Sequence, residues 1–362
     1  MNLKFWKNKK VLITGSTGFK GSWLVLYLNL LGAKVYGLGL KNNNEINLHK
    51  QISADKYLIK EKIIDIRNKK KLKNYLLLVN PDIVFHLAAQ SLVKKSYLKP
   101  ELTLSTNIMG TVNLLEVSKK IKALKAIIIV TTDKVYENNG KKSFFKETDQ
   151  LGGNDIYSAS KSSVELVANA YFESFFKNSN KKIATVRAGN VIGGGDWSVD
   201  RIIPDLIRSI KKKNKLIIRS PASVRPWQHV LEPLTGYILL AEKIFKIKKI
   251  NFMKKLNFGP KPSSHISVRK IVNLLKKKLD NNSKYIINKS NLKEAKKLFL
   301  NSSQVEKYLN FKPTLNLQQT LNLTADWYKS YLNNEDLESK TINQILYYMK
   351  NKRKNDIIEN KN

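Results

Sequence analysis

Apolar and polar positions change period within the stretch from Val11 to Leu31, VLITGSTGFKGSWLVLYLNLL. Before Gly15 the run is continuously apolar, as in a short buried strand, and after Gly18 it takes helical spacing. The break holds Gly15, Gly18 and Gly21, a spacing that lets the backbone approach a pyrophosphate and aim helix N-terminal N–H groups at its charge. The same triplet also serves as a plain strand-to-helix turn, so it does not decide the matter alone. Further strands are expected at Lys34 to Leu40, Lys62 to Ile66, Ile83 to Leu87, Ala126 to Thr131 and Ile183 to Arg187. Helical spacing fills Tyr97 to Lys119 and Ile156 to Phe176, and the Asn-rich segment Asn42 to Asn47 reads as a loop. This alternation predicts an α/β fold with a doubly wound parallel sheet.

From Gly189 the pattern loosens, and Gly193 to Gly195, Pro204, Pro221, Pro226 and Pro260 punctuate shorter elements. The expected organisation is a dinucleotide-binding domain over 1–188, with a returning contribution near 229–260. A smaller substrate lobe over 189–228 and 261–335 would cover the carboxyl ends of the strands, where ligands of open sheets bind. Residues 336–362, rich in Lys, Asn and Glu, are expected to form a frayed polar tail.

Composition narrows the function classes. The 362 residues suffice for a sizeable core, and without cysteine there are neither disulfides nor thiolate metal sites; no metal is expected. No stretch reads as a signal peptide or a bilayer-spanning run, so a soluble, cytoplasmic protein without membrane partners is expected. Lys plus Arg number 66 against 28 Asp plus Glu, a formal charge of +38. The lysines are spread among Asn and Ile along nearly the whole chain, and no nucleic-acid-binding motif accompanies them. The charge therefore implies salt-sensitive attraction to polyanions and no specific nucleic acid.

Tyr157 and Lys161 lie one turn apart on a predicted helix. An ammonium beside a phenol lowers its pKa toward the range of a general base. Thr131, Thr132, Asp133 and Lys134 follow a mid-sheet strand, where polar groups either cap the next element or face a ligand. The order of glycine turn, Thr-Asp at a strand end and Tyr-x-x-x-Lys about 25 residues later resembles the extended short-chain dehydrogenase/reductases. Nearly the whole length, from Phe5 to about Trp327, takes part. The most specific segments are GFKGSWL at Gly18 to Leu24, HLAAQ at His86 to Gln90, RAGNVIGGGDW at Arg187 to Trp197 and RPWQHVLEP at Arg225 to Pro233.

The resemblance implies a Rossmann-type fold and, from the last two segments and Lys134, the nucleotide-sugar dehydratases that act on CDP-D-glucose. It implies that Gly15, Thr17, Gly18, Phe19, Lys20 and Gly21 hold NAD, with Asp65 and Ile66 by the adenine and Leu87, Ala88 and Ala89 along the cofactor. Lys41 follows the second strand where an acidic residue usually binds ribose, so NADP stays open. Gln90, Asn190, Arg201, Arg225 and His229 are implied on the substrate side, although Asn190 also suits a loop brace and His229 a core histidine. Catalysis would fall to Thr132, Asp133, Lys134, Tyr157 and Lys161, with Lys134 either the C5 base or a stabiliser of the enolate. A homodimer through the helices around Thr103 to Lys119 and Asp155 to Phe176 is also implied. The rival readings are another dehydratase or an epimerase of the same superfamily, or a catalytically silent nucleotide- or polyanion-binding protein.

Overall fold

The computed structural model describes residues 2–41, 46–140, 144–248, 251–280, 282–288 and 297–359; most of the predicted loop at 42–47 lies outside them. Seven parallel strands form the central sheet: β1 Lys10–Thr14, β2 Lys34–Gly39, β3 Lys60–Ile63, β4 Ile83–His86, β5 Ala126–Val130, β6 Lys182–Ala188 and β7 Met253–Phe258. Their order is β7-β6-β5-β4-β1-β2-β3, so the chain starts in the middle and winds outward both ways. Successive residues of a strand serve opposite faces. Val11, Ile13 and Ile128 accordingly join Trp23 and Leu24 in one core, while Leu12, Ile127 and Ile129 join Leu72, Leu76 and Val164 in the other. Being covered twice is why these strands read as unbroken apolar runs.

The helices that matter to the site are α1 Phe19–Leu30, α2 Ile156–Tyr171, α3 Leu231–Lys246, α4 Leu317–Leu332 and α5 Leu337–Glu359. The expected continuous helix at Tyr97 to Lys119 is instead broken. Pro100, which cannot donate a helical hydrogen bond, restarts the chain after Leu98, and a π turn at Ser105–Met109 interrupts it again before Gly110–Ser118. The third strand ends at Ile63, three residues earlier than the apolar pattern suggests, which leaves Asp65 and Ile66 in the loop beyond it.

Over the carboxyl ends of the strands lie short paired segments, Val224–Pro226 against His265–Ser267 and Val191–Ile192 against Gln228–His229. The frayed tail expected after residue 335 is corrected to the 23-residue helix α5, docked on the core. Ile345 and Tyr348 are fully buried, Thr341 accepts the Trp327 indole N–H at 2.9 Å, and the Tyr348 hydroxyl reaches Glu232 at 2.7 Å. Burial of this apolar stripe outweighs the polar composition that argued for disorder.

Candidate active site

Because the strands are parallel, the loops leaving β1, β4, β5 and β6 emerge at one edge of the sheet. They open into a cleft of about 1700 Å³ shared with the segments at 190–205 and 217–227. Its first wall is the glycine turn. Gly15 has φ +79°, and a Cβ on it would lie 2.8 Å from the Ala88 nitrogen. A Cβ on Gly21 would sit 2.0 Å from the Gly15 carbonyl oxygen. Only glycine closes this turn, and the bare N-terminus of α1, capped by Gly18 without a side chain, is left facing the cleft. A dinucleotide pyrophosphate fits that cradle. Thr17 steadies it, its hydroxyl donating to the Leu40 carbonyl at 3.0 Å. Phe19, Ile66, Leu87, Ala88 and Ala89 supply an adjoining, largely apolar wall, together with Asp65, whose carboxylate is held by the Arg67 guanidinium at 2.6 and 3.0 Å.

A hydrogen-bond chain behind that wall fixes the loop after β4. The Thr111 hydroxyl donates to the Asn107 carbonyl at 2.7 Å, so the 3.0 Å contact with His86 Nε2 is made by the imidazole N–H. His86 Nδ1 then accepts from the Thr14 hydroxyl at 2.6 Å, whose oxygen accepts from the Ala88 N–H at 3.2 Å. Burial, with help from the Lys161 charge, drives the His86 pKa down to about 3, which keeps the ring neutral in this role. Asn107, presented by the π turn, clasps Gln90 through both main-chain groups, at 2.8 and 3.0 Å, and reaches Ser160 at 2.8 Å.

The reactive groups converge where β5 ends. Asp155 caps α2 by accepting from the Ser158 N–H at 2.9 Å, which sets the helix phase so that Tyr157 and Lys161 line the same cleft as Thr132 and Asp133. The Thr132 hydroxyl donates to Asp133 Oδ1 at 2.9 Å, and Thr132 also favours the Tyr157 phenolate. Burial raises the Asp133 pKa, against the pull of Lys134, Arg225 and Lys20. A carboxyl shifted toward its protonated form suits a proton donor.

Two expectations about the pair on α2 are corrected. Tyr157 is pushed up to about 12 by burial, opposed by Thr132 and Arg201. The Lys161 ammonium is directed instead at the Val130 carbonyl, to which it donates at 3.1 Å, and burial and the Lys20 charge bring its own pKa to about 8. In this arrangement Arg201, paired with Asp196 at 2.9 Å, is the cation that favours the phenolate.

Lys134, Asn190, Arg201 and Arg225 all line the cleft, whereas Gln90 and His229 do not. The Gln90 amide is spent on Leu92 and Thr103, at distances between 2.7 and 3.1 Å, because it braces the loop after β4. His229 is fully buried, edge-on to Trp23 with ring centroids 5.8 Å apart, and accepts from the Leu231 N–H at 3.4 Å. Burial lowers its pKa to about 3, as befits a core imidazole.

Lys20 exceeds its expected part in the glycine turn. It lines the same cleft as the catalytic groups, its ammonium feels the charges of Arg201, Asp133 and Asp196, and burial lowers its pKa to about 8. The sequence reading also missed Glu165, fully buried and joined to Arg187. Its signal was present: Tyr157, Lys161 and Glu165 form a stripe at successive fours on one helix face.

The comparisons with known proteins agree with this architecture. The family model for GDP-mannose 4,6 dehydratase matches residues 12–324. The CDP-glucose 4,6-dehydratase of Salmonella typhimurium is 41% identical over 351 residues, covering 95% of this chain and 97% of the relative. The dTDP-D-glucose 4,6-dehydratase of Dictyostelium discoideum is 29% identical over 253 residues, 65% of this chain and 56% of the relative. In fold, the UDP-glucose 4-epimerase of Thermotoga maritima superposes with a TM-score of 0.77 at 22% identity, covering 89% of this chain and 99% of its own. The GDP-mannose 4,6 dehydratase family, within the extended short-chain dehydrogenase/reductases, is the family to which this chain belongs.

Proposed function

We propose that the chain is a CDP-D-glucose 4,6-dehydratase, a hydro-lyase that converts CDP-D-glucose to CDP-4-dehydro-6-deoxy-D-glucose and water. The observation that carries the reading is the meeting of Thr132, Asp133 and Lys134 with Tyr157 and Lys161 in one cleft, in a chain 41% identical to a named CDP-glucose 4,6-dehydratase. An epimerase requires no proton donor at C6, and a silent binding protein requires none of these groups.

The Gly15 to Gly21 cradle would hold NAD, which would supply the hydride acceptor for C4 and the hydride donor for C6. The protein's own groups handle the protons. Tyr157, assisted by Thr132 and by the Arg201 charge, removes the O4 proton. The resulting C4 ketone acidifies C5, so a base can take that proton and the C6 hydroxyl can depart. Asp133 donates the proton that turns the leaving hydroxyl into water. Lys134, on the same turn, is placed either to take the C5 proton or to stabilise the enolate. Arg201 and Arg225 supply cations suited to a diphosphate. NAD in preference to NADP, cytoplasmic action and a homodimer belong to the same proposal. Met109, Leu166 and Phe175, exposed apolar side chains on the helices expected to pair, support the dimer.

Incubation with CDP-glucose, dTDP-glucose and UDP-glucose, followed by the alkaline absorbance of a 4-keto-6-deoxy product, tests the assignment. Product from CDP-glucose is expected. Product from another nucleotide and none from CDP-glucose would refute the substrate.

A further inference from the structure

Strand β2 carries glycine at Gly37 and Gly39, two residues apart and therefore on one face of the strand. Glycine inside a strand weakens it and marks a place where other atoms come close. Here the glycine turn after β1 is what comes close. A Cβ on Gly39 would lie 2.5 Å from the Thr17 hydroxyl oxygen, and one on Gly37 would lie 2.8 Å from the Ser16 hydroxyl oxygen and 2.9 Å from Glu61 Oε1. The bare face of β2 thus seats two side chains of the turn, and at Gly37 it leaves a passage by which a residue of the next strand reaches that turn.

That residue is Glu61. In the sheet register Gly37 lies opposite Glu61 of β3 on one side and Ile13 of β1 on the other. Glu61 alone of the four residues in β3 is shielded from solvent, and its Oε1 accepts from the Ser16 hydroxyl at 2.6 Å. We infer that Glu61 is a positioning residue for the dinucleotide cradle, holding Ser16, and with it the turn between Gly15 and Thr17, in the shape that receives a pyrophosphate. This rests on NAD binding in that cradle and is independent of which nucleotide sugar is turned over.

Both ends of the contact are fixed. Ser16 is fully buried, its N–H donates to the Leu38 carbonyl at 3.3 Å, and its own carbonyl accepts from the Ser22 hydroxyl at 3.2 Å. Glu61 Oε2 meets His49 Nε2 at 3.0 Å, and because a carboxylate only accepts, the imidazole donates. Burial works to raise the Glu61 pKa, but the hydrogen bonds from His49 and Ser16 hold it below the ordinary carboxylate value, so both bonds are made to a charge. His49 belongs to the short helix Leu48–Gln51, where the Gln51 side chain accepts the Trp197 indole N–H at 2.7 Å and Leu48 packs against Gly195. The support of the glycine turn is therefore tied to the segment at 190–205 that forms another wall of the cleft.

The test is titration of the full chain, freed of nucleotide, with NAD, read by tryptophan fluorescence, with denaturant midpoints measured in parallel. Glu61→Met keeps the bulk of the side chain and removes the acceptor; NAD affinity is expected to fall about tenfold, the order of one charge-assisted hydrogen bond. Ser16→Ala removes the other half of the same contact, is the smaller change should the methionine protein not fold, and is expected to show the same loss. The double variant then binds NAD no more weakly than either single one, since all three lack one contact. Glu61→Gln offers an oxygen to Ser16 and an amide to the alternative tautomer of His49, and is expected to bind NAD as the wild type does. Wild-type affinity in folded Glu61→Met and Ser16→Ala, with only the midpoints lowered, would leave Glu61 a brace of the sheet edge and overturn the inference. Losses that add in the double variant, or a glutamine protein as weak as the methionine one, would overturn it too. A wild-type protein that binds no NAD would sink the cofactor reading itself, and the role of Glu61 with it.

Discussion

Glu165 and Arg187 form a buried, bidentate ion pair between α2 and β6, with both N–H···O distances at 2.9 Å. The remaining lone pairs of the carboxylate accept the Thr131 and Thr185 hydroxyls, each at 2.6 Å, and Arg187 also donates to the Tyr136 hydroxyl at 2.7 Å. Burial opposes the charge of Glu165, but Arg187 and the two hydroxyls hold its pKa below the ordinary carboxylate value. Since Glu165 lies two turns beyond Tyr157 and Thr131 immediately precedes Thr132, the pair sets the distance between base and acid.

Glu165→Gln leaves the Arg187 charge buried without its partner. A loss of about 3–5 kcal/mol in stability is expected, read from denaturant midpoints. Glu165→Gln combined with Arg187→Met removes both charges and should recover much of that loss. If the double variant is as unstable as the sum of the two single ones, the pair is not coupled.

Gly21→Ala places a methyl group 2.0 Å from the Gly15 carbonyl oxygen, so the turn must open. A fall in NAD affinity of at least about tenfold is expected, equivalent to about 1.4 kcal/mol. Fluorescence titration of the variant with NAD checks it, and wild-type affinity would show that the turn does not hold the pyrophosphate.

Much of this was legible in the chain because each signal was local. Strands covered on both faces give unbroken apolar runs, the glycine spacing fits one kind of turn, and Tyr157 and Lys161 share a helix face through periodicity alone. What escaped depended on partners distant in sequence. Gln90 and His229 have chemically versatile side chains, but the first is consumed by Thr103 and the second is walled in by Trp23. The polar surface of α5 hid the stripe Ile345, Tyr348 and Met349, and even Lys352 is buried there, paired with Asp356 at 2.8 Å. The phenol of Tyr157 was misjudged because spacing brings Lys161 to the right face, whereas tertiary structure decides which oxygen its ammonium meets.

Glu232, at the start of α3, secures the end of the chain by accepting from the Leu315 N–H at 2.6 Å, the Thr314 N–H at 3.1 Å and the Tyr348 hydroxyl. Burial raises its pKa to about 7, against the opposing hydrogen bonds. The folded protein therefore binds more protons than the unfolded chain between pH 4.5 and 7. The contribution is fully present below the lower value and lost as pH rises through the higher one, on the order of 3 kcal/mol in all. Denaturation from pH 5 to pH 8 should show this decline in the wild type and a flatter profile in Glu232→Gln. Parallel profiles would remove Glu232 from the account.

Lys20 offers a separate test of how the two sides of the cleft communicate. Its ammonium feels the charges of Arg201, Asp133 and Asp196 and helps to depress Lys161, although burial is the larger cause. Lys20→Met removes a positive charge from beside Lys161, whose pKa must then rise from about 8. The same change deprives Asp133 of a cation that favours its carboxylate, so the Asp133 pKa rises too. Both effects keep a proton on the site to higher pH. The alkaline limb of the kcat profile should move upward in Lys20→Met and stay near its wild-type position in Lys20→Arg, which preserves the charge. Loss of NAD affinity in both variants with no movement of that limb would confine Lys20 to the glycine turn and sever it from the proton chemistry at Asp133.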